Sequence, residues 1–230
     1  MKVIRITSAF LISVSGWAAT ADPSLQDLLA RMDEAAGSFH SMSANVKYVT
    51  HTAVLDDNSD EGGTVVMKKV RANLVQGLID FTVPDRRTVT IEQRKVQIYY
   101  PKIKTVQVID LGKHGEQLDQ FLLIGFATSG TELARDYSMR VLGPEKALGQ
   151  KTAKIELMPK AGEARQYLQK LELWIPERPS QPYPVQEKIY EKSGDYRLVT
   201  YTDMKINPAL PPDALKLKLP AGVKTEYPQK

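Results

Sequence analysis

Three histidines, His40, His51 and His114, are the residues best suited to move a proton or hold a metal near neutral pH, and they are scattered along the chain. None has a second imidazole four residues away and no His-Glu-x-x-His run occurs. The several convergent donors that a metal site needs are therefore not signalled. The absence of cysteine removes a thiolate nucleophile, and no Gly-x-Ser-x-Gly turn offers the serine elbow of hydrolases. No glycine-rich phosphate loop follows a strand. The densest polar run, Asp56-Asp57-Asn58-Ser59-Asp60-Glu61-Gly62-Gly63, sets oxygens at alternating positions as a calcium loop does. An EF-hand loop requires glycine at its sixth place and a bidentate Glu at its twelfth. Those places hold Glu61 and Met67, so the run reads as a solvated hairpin tip. This inventory predicts no catalytic residue, no metal and no cofactor, and it directs attention to a cavity.

The compartment is read from the first 21 residues. Lys2 and Arg5 form a basic start, Ile6 to Trp17 is mostly apolar but too short to span a bilayer, and Ala19-Thr20-Ala21 is a small-x-small cleavage site. The expectation is a signal peptide over residues 1–21, cleaved after Ala21, and a single periplasmic domain over 22–230. Without cysteine there is no lipid-anchor site, and in an oxidising compartment the fold must rest on packing instead of disulfides. The chain has 31 basic and 27 acidic residues. Two of the basic ones leave with the signal, so the mature net charge is near +2. That is too little for a nucleic-acid partner, and no basic stripe with interleaved aromatics occurs. Basic residues between Lys68 and Lys113 read as solvent face and edge protection, or as a docking surface for an acidic partner.

The elements come next. Leu25, Leu28, Leu29, Met32 and Ala36 recur at helical spacing, Ser24 and Asp27 fit a capping box, and Gly37 is a plausible stop. From Ser43 the period changes to two, and eleven or so short strands separated by Asp, Asn, Gly and Pro run almost to the end. The fold class expected is mainly β (α+β): one strongly curved antiparallel half-barrel, wet on its outer side, whose concave face must be covered. The first helix is one cover. The other is Gln117 to Arg135, where Leu118, Phe121, Leu122 and Gly125 align at helical spacing. From pattern alone that segment reads first as a plain crossover helix completing a core. Ala214 to Val223, with Leu215, Leu217 and Leu219 alternating with lysines, reads as a last strand.

An ordered set of short runs then resembles a family. The first helix ends in Ser38-Phe39-His40, and a strand from Asn73 to Val83 runs into Pro84-Asp85. Val96-x-Ile98-Tyr99-x-Pro101 follows, then Phe121-Leu122-Leu123-Ile124, Leu157-Met158-Pro159-Lys160 and Pro220-x-Gly222-Val223. In order and spacing these are similar to the outer-membrane lipoprotein carrier (LolA-like) family over nearly all of the mature chain. The resemblance implies an open half-barrel with a helical lid over an apolar cavity and no cofactor. It implies a monomer that takes acylated lipoproteins from an inner-membrane release complex and passes them to an outer-membrane receptor. Gly77 stands where the family usually has an aromatic, and the arginine that ties the lid shut in the family has Lys69 or Arg71 as its counterpart here. If Lys69 fills that place, the two-point contact of a guanidinium is lost.

On this reading the acyl-binding cavity is lined by Val46, Tyr48, Val65, Met67, Val75, Ile79, Phe81, Val89, Ile91, Ile98, Val106 and Val108. Leu118, Phe121 and Leu122 come from the lid, and Lys69 or Arg71 is its latch. Each strand position also reads as ordinary core. Two other classes share the pattern: a binder of another lipid or an envelope-stress sensor on the same half-barrel, and a hydrolase with an unrecognised site.

Overall fold

The computed structural model describes residues 23–71, 74–92, 94–112, 124–160, 164–178, 180 and 182–228. Helix α1 (Pro23–Ser38) carries apolar residues at i, i+3, i+4 and i+7, and Leu28, Met32, Ala35 and Ala36 are buried along that stripe. The helix starts at Pro23, so Ser24 lies inside its first turn and is not its N-cap.

Among the described residues twelve strands follow: β1 (Ser41–Thr52), β2 (Asp57–Arg71), β3 (Leu74–Val83), β4 (Arg87–Glu92), β5 (Lys95–Tyr100), β6 (Thr105–Asp110), β7 (Tyr137–Ala147), β8 (Gln150–Pro159), β9 (Leu168–Pro176), β10 (Gln186–Glu191), β11 (Tyr196–Ile206) and β12 (Lys224–Glu226). Helix α2 (Gly130–Asp136) precedes β7, and a single helical turn, α3 (Ala164–Tyr167), precedes β9. All twelve strands form one sheet in the order β12-β6-β5-β4-β3-β2-β1-β11-β10-β9-β8-β7. Every neighbouring pair is antiparallel except β12 with β6. This is the mainly β curved sheet expected, with one strand more than the pattern suggested.

The concave face is dry under α1. Towards one half of the sheet, Leu28 and Met32 pack with Ile155, Leu157, Leu171 and Leu173. Towards the other, Ala35 and Phe39 pack with Met42, Val46, Val65 and Met67, and with Phe126 and Tyr183. Phe39, Phe126, Tyr183 and Tyr201 form one aromatic cluster, with ring centroids 5.4 to 6.2 Å apart. The last turn of α1 leaves carbonyls without helical partners, and side chains from distant elements supply them. The Tyr183 hydroxyl donates to the Ala35 carbonyl at 3.2 Å, and the Lys69 ammonium donates to that of Ala36 at 3.3 Å. Asn207, beyond β11, donates to the Ser38 carbonyl at 2.8 Å and accepts from the His40 amide at 2.7 Å.

The convex face carries charge. Arg140, Glu156, Lys170, Glu172 and Lys154 form a continuous ladder across β7, β8 and β9. The Arg140 guanidinium, and then the Lys170 ammonium, hold the Glu156 carboxyl below its usual range. Burial raises Glu172, and Lys170 and Lys154 overcome that and hold it low.

Three local expectations are corrected. The polar run after Asp56 is not a hairpin tip: the turn is at residues 53–56, and Asp57–Arg71 is continuous strand paired from Thr52↔Asp57 onward. Cross-strand contacts such as Lys47 with Asp60 at 2.8 Å give those polar residues partners along the ladder. Within Gln117 to Arg135, residues 117–123 lie outside the described residues; Gly125, expected at helical spacing, lies in a turn over 124–127, and the described helix is Gly130–Asp136. Gly125 has φ +78°, and a Cβ there would lie 2.6 Å from Pro184. Ala214 to Val223 is not a strand. It runs over the convex face beside Lys68, Gln76, Thr90 and Gln97, and the last strand, β12, starts at Lys224.

Candidate functional site

Cross-strand register decides which side chains face inward, because directly opposed residues share a face. On one half of the sheet the inward rows are Val65, Ile79, Val89 and Ile98, and Met67, Gly77, Ile91 and Val96. On the other half they are Tyr48, Val199, Glu187 and Leu173, and Thr50, Arg197, Ile189 and Leu171. Between these halves lies a cavity of about 360 Å³. Tyr48, Val65, Met67, Val75, Gly77, Ile79 and Ile91 form one wall, and Leu168, Glu187, Ile189, Val199 and Tyr201 form the other, with Tyr167, Glu191 and Arg197 at an exposed rim. The volume falls at the lower end of the roughly 300–1,000 Å³ typical of small-molecule sites. Gly77 contributes space: a Cβ there would meet nothing nearer than Met67 Cγ at 3.8 Å.

One end of the concave face is closed by a stacked polar group. Arg87 binds Glu61 through both guanidinium nitrogens, with Nη2 to Oε2 at 2.9 Å. The same guanidinium lies 4.1 Å over the Phe81 ring, which packs against Tyr48 at 5.4 Å between centroids. The bidentate bond raises Arg87 further above its already high value.

A carboxyl stands in the apolar wall. Glu187 is only 8% exposed, and its Oε1 has no hydrogen-bond partner. Burial pushes this carboxyl up to about 8, against which a hydrogen bond with the Tyr201 hydroxyl acts weakly. Burial and the nearby Glu187 likewise raise Tyr48, to about 12, and raise Tyr201 well above a phenol's usual value. At neutral pH the wall therefore presents a neutral carboxylic acid and two un-ionised phenols, Tyr48 and Tyr201. Among the described residues, no three His, Cys, Asp or Glu side chains converge to hold a metal.

Of the twelve strand positions proposed for the cavity, Tyr48, Val65, Met67, Val75, Ile79 and Ile91 line it. Val46 and Phe81 are buried in the core beneath α1, and Val89 packs against that core. Ile98 shares the inward row but lies outside the lining. Val106 and Val108 face the other way: they oppose Tyr99 and Gln97, whose neighbours Thr88 and Thr90 are on the convex side, and Gln107 and Ile109 point inward instead. Both valines are thus corrected to the outer face. Leu118, Phe121 and Leu122 lie outside the described residues. Lys69 reaches α1 through the Ala36 carbonyl, while Arg71 is exposed at the end of β2.

Sequence reading missed the whole second wall. Leading into β10, the alternation Val185, Glu187, Ile189 sets a glutamate in register with apolar residues, and β11 repeats it with Arg197, Val199 and Tyr201. That charged residue in an apolar register was the available signal.

No protein-family model and no curated protein matches the chain. Solved structures do. MucB aligns at TM-score 0.52 and 16% identity over 86% of this chain and 64% of its own, so the chain spans less than two thirds of MucB. LprF from Mycobacterium bovis aligns at TM-score 0.50 and 12% identity, over 84% of this chain and 98% of its own. The LolA superfamily protein NE2245 from Nitrosomonas europaea aligns at TM-score 0.42 and 16% identity, over 84% and 97%. The chain shares the fold of MucB and LprF, and identities this low bear on fold alone. No helix among the described residues is long and apolar enough to cross a membrane.

Proposed function

We propose that the protein is a periplasmic carrier that holds acyl chains in the concave cavity and moves them between membranes without catalysing a reaction. The observation that carries this reading is an apolar-walled cavity of about 360 Å³ on the inner face of an open curved sheet whose fold is shared with LprF. Each buried CH₂ is worth about 0.8 kcal/mol, so a cavity of this kind offsets the cost of taking an acyl chain out of a bilayer. In the fullest form of the reading the cargo is an acylated lipoprotein. A monomer, its signal cleaved after Ala21, receives it from an inner-membrane release complex and delivers it to an outer-membrane receptor. The modest volume favours a second form, in which a free lipid is carried.

The test is mass spectrometry of what co-purifies with the protein from a native periplasm, beside a Gly77→Phe variant. Gly77 has an ordinary strand backbone, and a phenyl group there fills the cavity without straining the chain. Acylated lipoprotein on the wild type and its loss from the variant supports the lipoprotein carrier. A free lipid lost in the same way supports the second form. Equal lipid on both proteins, or a protein partner without lipid, overturns carriage by this cavity and leaves a sensor on the same fold.

A further inference from the structure

An apolar pocket built only to hold hydrocarbon has no use for a carboxyl in its wall. Glu187 lines the cavity from β10, and its Oε1 is buried with no protein partner. A buried polar atom left unpaired costs about as much as a lost hydrogen bond, so the native arrangement carries a standing penalty that a suitable ligand would remove. We infer that Glu187 is a hydrogen-bonding anchor that recognises the carbonyl oxygen of an acyl group, ester or amide, at the wall of the cavity. This inference rests on the acyl-carrier reading above.

The chemistry follows from the protonated acid. Burial holds Glu187 neutral at physiological pH, so it can donate an O–H as well as accept. The Tyr201 hydroxyl acts on the same carboxyl, and Tyr48 shares the inward β1–β11–β10 row with it. The unpaired position of the acid is then matched by an acceptor. A hydrocarbon offers none, and a carbonyl offers one with no charge to desolvate. An ammonium headgroup would instead have to draw the proton off, and the nearby exposed Arg197 at the rim disfavours a second cation. The carboxyl would thus fix where along an acyl ligand the cavity grips, setting the carbonyl beside β10 and the chain against Val65, Met67 and Ile79.

The experiment is displacement of the apolar fluorophore N-phenyl-1-naphthylamine from the mature protein. The competitors are dodecane, methyl dodecanoate, N-methyldodecanamide and dodecylamine. The wild type is compared with Glu187→Leu, Glu187→Gln and Tyr201→Phe, each checked for folding by circular dichroism. Wild type is expected to prefer the ester or the amide over dodecane by about tenfold more than Glu187→Leu does, the worth of one buried hydrogen bond. Glu187→Gln, which keeps an N–H donor, should retain most of that preference. A larger gain for the ester points to glycerol esters, and a larger gain for the amide to N-acylated cargo. The same ester-to-hydrocarbon ratio in wild type and Glu187→Leu overturns the anchor while leaving the carrier reading intact. If Glu187→Leu does not fold, an unchanged ratio in Tyr201→Phe together with no carbonyl preference in wild type overturns it equally. Preference for dodecylamine replaces it with an ammonium site. Failure of every acyl compound to displace the fluorophore overturns the carrier reading together with the anchor.

Discussion

Glu187 shows how a single side chain can tie stability to pH. Its carboxyl is raised by burial to about 8 from an ordinary value of 4.5. Below pH 4.5 the folded and unfolded chains both hold the proton. Between 4.5 and about 8 the unfolded chain releases it and the folded chain keeps it, so unfolding is favoured increasingly as pH rises, by up to about 1.4 kcal/mol per unit. Above pH 8 both forms are ionised and the dependence levels off. The carboxylates held low by neighbouring cations, Glu156 among them, act in the opposite sense and only at more acid pH. The melting temperature is therefore expected to fall from pH 5 to pH 8, and Glu187→Gln should flatten that slope, as thermal scans at fixed ionic strength would show. An equally steep slope in the variant would mean that Glu187 is solvated or ionised in the native state. The same residue marks where sequence reading stops short. Alternation in β10 and β11 was legible, but which face of each strand lies inside depends on register across the sheet, and only pairing fixes that. Val106 and Val108 went to the wrong face for this reason: in β6 both faces offer apolar residues, with Ile109 on the inner one.

At the scale of elements, two short helices are held by specific contacts as well as by packing. The Asp33 carboxylate on α1 accepts from the Thr131 amide at 2.9 Å and pairs with the Thr131 hydroxyl at 3.0 Å, so it caps the start of α2 from outside. Ser129 and Glu132 complete a reciprocal capping box at the same end. Gly130 allows the approach, since a Cβ there would lie 2.6 Å from the Leu29 carbonyl oxygen. Asp33→Ala removes both contacts and is expected to lower stability by about 1 kcal/mol, a fall of roughly 2–4 °C in melting temperature. Faster amide exchange confined to residues 130–136 would place the loss at this joint, whereas uniform exchange would mean that α1 and α2 are not coupled through Asp33. The existence and type of α1 were legible from its apolar period, and so were most strands. The start of α2 was not, because the helical spacing carries on through Gly125, whose positive φ places it in a turn. The long β1–β2 hairpin was hidden for a related reason: Asp, Asn and Gly are turn residues by composition, and tertiary pairing overrides that preference.

The molecule as a whole must manage a twelve-stranded sheet that does not close. An open sheet has two edges, and each exposes backbone donors and acceptors that template association with another strand. At the β6 edge the chain returns to cover itself. The segment after β11 crosses the convex face, and Lys224–Glu226 then pairs in parallel with Thr105–Gln107, anchored by the Lys224 amide on the Lys104 carbonyl at 2.9 Å. Beneath it Val106 is 2% exposed, so the cover shields an apolar side chain as well as the backbone. Only three residues pair, which makes this the shortest ladder in the sheet and the one most dependent on the segment that delivers it. Ending the chain after Gly222 removes β12 while leaving the cavity walls and α1 untouched. The truncated protein is expected to keep its strand content and its acyl-ligand binding but to self-associate through the bared β6 edge. Sedimentation velocity would show a concentration-dependent shift to larger species that the full chain does not show. Introducing Lys at Val106, a charge on an edge strand, should suppress that shift if the edge is responsible. Association that persists in the truncated Val106→Lys protein would locate the sticky surface elsewhere, and an unchanged sedimentation coefficient after truncation would mean that β12 is not what protects the sheet.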